Sequence, residues 1–255
     1  MAHKTLISGP AYSVTGGREL IGGTGYGCKA GKTIIGGTAF TVPFSKGIPL
    51  NTITPGAILY LNESGSPVPF YVCKHDYESG LNGAGRTLLV RKDCSDNKAF
   101  NRSGYNRYAG GEMDTWLNDT WIKLLDTNVQ SGMSETKFYY TAWAGNSVTS
   151  LQRAVFLLSW AELGKSPPST NAEGTALDAD VIEKLRPAYK NGKTATNWTR
   201  TPDRSNRQYA YVMSDYNGGY VKYDISFSYA SRPAFTLPGT FPVIQNSDGT
   251  YSPAV

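Results

Sequence analysis

The sequence predicts an α+β protein, rich in short strands, with short helices, a C-terminal hairpin and an N-terminal β-repeat stem. Three observations predict it: a glycine-punctuated repeat at the front, short stretches of helical spacing in the middle, and a period-two run near the end. The composition agrees. The chain has 255 residues, 28 Gly and 17 Tyr, and its 40% hydrophobic content supports a packed core. Much glycine and tyrosine with few long apolar runs favours turns and strands over long helices.

The stem rests on self-similarity. Lys4-Thr5-Leu6-Ile7-Ser8-Gly9-Pro10-Ala11-Tyr12 recurs as Arg18-Glu19-Leu20-Ile21-Gly22-Gly23-Thr24-Gly25-Tyr26, and again as Lys32-Thr33-Ile34-Ile35-Gly36-Gly37-Thr38-Ala39-Phe40, each time after 14 residues. Each copy reads as strand, glycine turn, strand. Leu6, Ile7, Leu20, Ile21, Ile34 and Ile35 fall in the first strands, and Tyr12, Tyr26 and Phe40 in the second. Such a hairpin is too small to bury its own apolar face. Residues 1–44 are therefore read as an assembly stem whose nine apolar positions meet other subunits, in a homotrimer or another homo-oligomer. A module folded back on its own chain is the alternative. Residues 45–56, in a stretch with Pro43, Pro49 and Pro55, read as an extended linker.

Residues 57–238 read as the main domain. Ala57–Leu61 and Pro69–Cys73 are expected strands around a turn at Asn62–Pro67, and Thr87–Arg91 a buried strand. Glu112–Asn118 and Trp121–Leu125 have helical spacing, with Trp116, Leu117, Trp121, Leu124 and Leu125 on one stripe. Ala154–Ser159 is an expected buried strand. Ser159 with Glu162 three residues on has the capping-box spacing over a short turn. Asp178–Leu185 is an expected helix, stopped by Pro187. Tyr209–Met213 and Tyr220–Tyr229 form the expected hairpin around Asn217-Gly218-Gly219, which supplies positive φ angles. Val221, Tyr223, Ile225, Phe227 and Tyr229 alternate with polar partners, so Tyr223, Phe227 and Tyr229 are expected in the core. Trp198 is an expected core anchor and Arg232 a partly buried clamp. Residues 239–255 are polar and expected to be peripheral.

Several kinds of chemistry are disfavoured. The formal net charge is +5 and the pI about 9.0, but the basic residues are scattered and no nucleic-acid motif is present. No apolar run is long enough to cross a membrane, and Met1-Ala2-His3-Lys4 lacks the apolar core of a signal peptide. Such a chain would be made in the cytoplasm and reach the outside by lysis. Cys28, Cys73 and Cys94 show no CxxC spacing; buried thiols or a Cys73–Cys94 pair are both open. Of two histidines, His75 is the only candidate base, and no nucleophile elbow is present. Paired carboxylates stay open. Asp93–Asn97 and Asp203–Asn206 offer oxygen ligands without calcium-loop spacing, so no metal and no cofactor is expected. The chain is read as a non-enzyme.

A binding face is read in the last third. Carbohydrate recognition needs flat aromatic faces rimmed by polar groups. Arg204, Asn206, Arg207, Tyr209, Tyr211, Tyr216, Asn217, Tyr220 and Lys222 are the candidate residues. Half-buried sheet tyrosines are the competing reading.

Six short motifs add a resemblance. They are Leu88-Leu89-Val90-Arg91-Lys92-Asp93, Trp116-Leu117-Asn118, Val155-Phe156-Leu157-Leu158-Ser159 with Glu162, Trp198-Thr199-Arg200-Thr201-Pro202, Gly218-Gly219 and Arg232-Pro233-Ala234-Phe235. In this order they resemble a domain family of uncharacterised function, common in prophages and gut bacteria, over about residues 57–238. The repeat resembles the front of phage structural proteins that carry this domain. The resemblance implies a C-type-lectin-like fold, also similar to formylglycine-generating enzymes, whose cysteine and metal arrangement has no match here. It also implies a phage-tail setting. Expected partners are further copies of the chain, other virion tail proteins, and a host cell-surface glycan or protein. The expected role is a host-receptor-binding adhesin. A purely structural decoration or connector is the alternative, and an enzyme acting on cell-wall polymer is a more distant one.

Overall fold

The computed structural model describes residues 18–21, 24–27, 32–35, 38–41, 47–143, 147–165, 173–214 and 219–254, with side chains from residue 47 onward except that of Tyr220. In the repeat, Arg18–Ile21 pairs antiparallel with Thr24–Gly27, and Lys32–Ile35 with Thr38–Thr41. The register is the same in both copies, Glu19 facing Tyr26 and Thr33 facing Phe40. Leu20, Ile21, Tyr26, Ile34, Ile35 and Phe40 thus lie in strands. Leu6, Ile7 and Tyr12 lie outside the described residues.

Two large sheets and two small hairpins, Thr136–Thr141/Val148–Arg153 and Tyr189–Lys190/Lys193–Thr194, carry the rest, and the molecule is α+β. The larger has eight strands in the order Val155–Phe156, Ala234–Pro238, Arg86–Arg91, Ser66–Lys74, Ile58–Glu63, Tyr251–Pro253, Pro242–Gln245 and Ile48–Pro49. All pairs are antiparallel except the Tyr251–Leu59 bridge. The smaller has five, in the order Tyr220–Asp224, Tyr209–Met213, Asn197–Pro202, Ser228–Ala230 and Asn97–Ala99. One hydrophobic core joins them, with Phe70, Phe100, Trp121, Phe138, Phe156, Trp198 and Phe235 buried at its centre.

The expected helices form where the spacing places them. Glu112–Asp119 is helical, with Glu112 and Asp114 in its first turn where acidic groups suit the helix dipole. Gly111 opens it: a Cβ there would lie 2.7 Å from the Arg107 carbonyl oxygen, so a side chain is excluded. Trp121–Leu124 is a 3-10 turn instead of a full helix. Leu117, Trp121 and Leu125 of the stripe are buried, while Trp116 and Leu124 are half-buried at its edge. Ala179–Leu185 is the last helix. The Thr127–Gly132 helix and the Thr136–Thr141/Val148–Arg153 hairpin were not expected; the latter's mixed exposure gives no clean alternation.

Three expectations are corrected. The linker packs: Ile48–Pro49 is the outer strand of the large sheet, and Leu50 and Ile53 are buried. The tail is not peripheral: Pro242–Gln245 and Tyr251–Pro253 are inner strands of the same sheet, and Val243 is fully buried. Alternation over such short strands leaves only one or two inward positions, so the signal was lost among polar residues. The long strand from Tyr220 to Tyr229 is broken. The Asp224 carboxylate accepts from the Ser226 amide at 2.9 Å and its hydroxyl at 2.6 Å, an Asx turn that ends strand pairing. Ile225 stays buried, but Phe227 turns out to 55% exposure and Val221 lies 40% exposed. Tyr223 and Tyr229 remain packed against the core.

Val243→Ala should cost about 2 kcal/mol of unfolding free energy, because it empties a fully buried site. Urea titration checks this; a change near zero would mean the tail strands do not belong to the folding unit.

Candidate ligand-binding face

The motif residues are placed first, because they turn out to be ties between elements. Arg91 reaches over the Ser66–Lys74 strand to Glu63 at 2.8 and 3.1 Å and donates to the Asp93 and Cys94 carbonyls. Asn118 projects from its helix to the edge strand: its amide donates to the Val155 carbonyl at 2.9 Å and its oxygen accepts from the Val155 amide at 3.0 Å. One side chain thereby replaces the missing neighbour of an edge strand. Arg232 is buried and donates to the carbonyls of Arg91, Lys92 and Leu185. The Trp198 indole donates to the Lys98 carbonyl at 2.9 Å.

The deepest tie is Arg200, fully buried against the stacked Phe138 and Phe156 rings, with its guanidinium carbon 4.8 and 6.0 Å from their centroids. It donates to Glu162 at 2.6 Å and to the carbonyls of Tyr139, Leu157 and Glu173. Glu162 also accepts from the Tyr77 hydroxyl at 2.5 Å and the Ser159 amide at 2.8 Å. The Ser159 hydroxyl accepts from the Glu162 amide in return, which is the capping box read from spacing. Glu173 accepts from the Thr141 amide and the Thr201 hydroxyl. Gly174 brings the backbone close: at φ +101° a Cβ would sit 2.9 Å from Glu78 and 3.2 Å from Glu162. Of the two buried carboxylates, Glu162 pairs with the guanidinium, while Glu173 meets it through its backbone carbonyl. Burial is the largest influence on Glu173 and pushes its carboxyl up; Arg200, Thr201 and Thr141 oppose it. The cluster is closed to solvent and its geometry is structural. Arg200 and Glu173 were not singled out by spacing, since an isolated Arg or Glu gives no sign of burial.

The candidate base His75 is similarly occupied. Its Nε2–H donates to the Ile53 carbonyl at 2.7 Å, which leaves Nδ1 to accept from the Thr87 hydroxyl at 2.9 Å. Cys73 and Cys94 are free buried thiols, both pushed up by burial. Asp203 spends its oxygens on Ser205 and on Lys222 at 2.7 Å. Burial works against its carboxylate, but Lys222 and the Ser205 donors outweigh this and hold it below the usual range. Among the described residues no cluster of His, Cys, Asp and Glu could hold a metal ion.

The predicted face is brought together only in part. Asn206 and Arg207 are exposed, Arg204 and Tyr209 half-buried, and Lys222 is exposed and tied to Asp203. Tyr211 is not on an open surface: its ring stacks on Trp160 at 3.9 Å and is buried. Tyr216 and Asn217 lie outside the described residues, and Tyr220 is described by its backbone alone, opposite Met213.

A neighbouring loop, missed in the sequence, completes an exposed cluster beside Arg207. The Arg207 guanidinium lies 4.8 Å from the centre of the Tyr105 ring, and Tyr105 meets Trp143 at 6.5 Å and 89°. Tyr105 is 46% and Trp143 44% exposed. Ser103, Tyr105, Arg107 and Trp143 line an open hollow of about 440 Å³. Two buried asparagines hold the loop. Asn101 donates to the Tyr105 and Arg107 carbonyls, and Asn106 to the carbonyls of Asp203 and Tyr209, each at 2.7 Å. Nothing in the local pattern of 101–107 distinguishes it from a solvated turn; the signal is the partner loop, 100 residues away.

Two outcomes test the buried cluster. Arg200→Met should destabilise the chain by about 3–5 kcal/mol, since it leaves Glu162 without a cation in the core; a loss under about 1 kcal/mol in urea titration would contradict the pairing. The folded carboxyl of Glu173 lies above its unfolded value. Its contribution is therefore full in acid and falls as pH rises through the folded value. Compared with Glu173→Gln, the native chain should lose relative stability as pH rises above the ordinary carboxylate range, and the opposite slope would refute the assignment.

Comparison with curated proteins and with solved structures finds no match. A family profile described as a domain of unknown function, DUF6273, matches residues 84–239. The matched span starts just before the Arg86–Arg91 strand and stops before the last two strands, although strands on both sides of it complete the same sheet. It takes in Asn118, Glu162, Arg200 and Arg232 and covers more than half of the chain: the protein belongs to the DUF6273 domain family.

Proposed function

We propose that this chain is an attachment protein of a bacteriophage tail, a C-type-lectin-like head that binds a host cell-surface receptor and a β-repeat stem that joins further copies and other tail proteins. The observation that carries the reading is the exposed aromatic and arginine cluster of Tyr105, Trp143, Arg107 and Arg207 on a loop held by buried asparagines. A surface so rich in rigid, amphipathic side chains is the composition of a recognition site. The stem contributes repeated hairpins in one register, each too small to stand alone, which favours assembly. No helix of the described residues is long and apolar enough to cross a membrane. The buried cluster around Arg200 has no opening for a substrate, so recognition is favoured over turnover.

The labelled full-length chain should sediment as a homotrimer or another oligomer and bind intact cells of at least one gut bacterial isolate in a panel. The double variant Tyr105→Ala/Arg207→Ala should bind about tenfold more weakly or worse, with stability within about 0.5 kcal/mol. Equal binding by the variant would remove this face from the reading, and failure of the wild-type chain to bind any cells would leave the connector role as the better account.

A further inference from the structure

We propose that the hollow between Tyr105 and Trp143 is a subsite for an acidic sugar, a pyranose ring carrying a carboxylate. This rests on the attachment reading and names the chemistry of its receptor. Two aromatic rings at 89°, with centroids 6.5 Å apart, form a corner. A pyranose offers C–H faces that pack on such rings while its hydroxyls stay wet. The charge at the corner is positive. Arg107 lines the hollow and Arg207 flanks it across the Tyr105 ring. Neither guanidinium is in an ion pair with a carboxylate among the described residues, where the five ion pairs all use other cations. The nearby acids are spent: Glu112 on Arg102, and Asp203 on Lys222 and Ser205. A planar guanidinium without a carboxylate partner, beside aromatic faces, matches a ligand carboxylate in two-point geometry, although Arg207 also makes a long bond of 3.4 Å to the Tyr105 hydroxyl.

The loop is also set before the ligand arrives. Asn101 is 5% exposed and Asn106 is fully buried, and between them they hold the carbonyls of Tyr105, Arg107, Asp203 and Tyr209. The Asn101 oxygen accepts from the Ser103 amide at 3.1 Å, and the Asn106 amide donates to the Arg207 carbonyl at 2.7 Å. Both arginine-bearing segments are thereby fixed to each other through one residue. A loop fixed in this way loses little freedom on binding, which raises affinity at a given contact area.

The test uses the full-length chain and oligosaccharides of galacturonate, glucuronate and mannuronate, each paired with its carboxyl-reduced counterpart, in calorimetric titrations. At least one acid form should bind, and its reduced counterpart should bind at least about tenfold more weakly, the difference expected for hydrogen bonds to a charged group. Arg107→Gln/Arg207→Gln should bring the acid form down to the level of its reduced counterpart, with an unchanged thermal midpoint. Trp143→Ala should weaken both forms. A reduced form that binds as well as the acid overturns the acidic specificity, as does failure of every acid form to bind. If the wild-type chain still binds cells in either case, the attachment reading survives with another ligand; if cell binding is absent too, both fall.

Discussion

The centre of this molecule is organised around one buried ion pair. Arg200 sits where apolar side chains would pack by default, beside two stacked phenylalanine rings and against Glu162. A guanidinium there carries a large desolvation cost, and only a complete set of acceptors offsets it. Four hydrogen bonds run from it, to Glu162 and to three backbone carbonyls, one on the Thr136–Thr141 strand and two in segments outside any strand. Those segments, Leu157–Ser159 and the chain around Glu173, have no sheet partner to hold them. The arginine takes the place of that partner. A hydrophobic replacement would fill the volume but leave the carbonyls unpaired, so the charge specifies the path of the chain more than it adds to stability.

The same logic explains why the fold was legible and the face was not. Strand and helix positions came from local spacing, and local spacing is what places Ile58–Glu63, Glu112–Asp119 and Tyr209–Met213. The capping pair Ser159 and Glu162 was readable because its two members are three residues apart. Arg200 was not, since its acceptors come from four places in the chain. Phe227 misled because alternation continues through a residue, Asp224, whose side chain ends the strand. Tyr211 was placed on an open face, yet its partner Trp160 lies about fifty residues away and closes over it. Long-range contacts decide exposure, and periodicity carries no record of them.

The residues whose order carried the family resemblance now have individual tasks. Arg91 bridges strands, Asn118 stands in for an absent strand, Glu162 and Arg200 hold the core, and Arg232 clamps three carbonyls. All of these are tasks of architecture. Sites of recognition are grafted on such a frame through loops. Tyr105, Arg107 and Arg207 stand in two loops that Asn106 ties together. Other loops on the same frame would make other faces without disturbing a single one of these ties.

The outer strand Ile48–Pro49 and Ala254 lie together: the Ala254 amide donates to the Pro242 carbonyl, and a Cβ built on Gly47 would touch Ala254. The first and last residues described after the repeat therefore meet at one corner of the folded unit. A unit with adjacent entry and exit behaves as a cassette. It can be spliced between two residues of an unrelated surface turn, or mounted on a stalk, and in both settings its support sees one point of attachment and its loops keep their orientation.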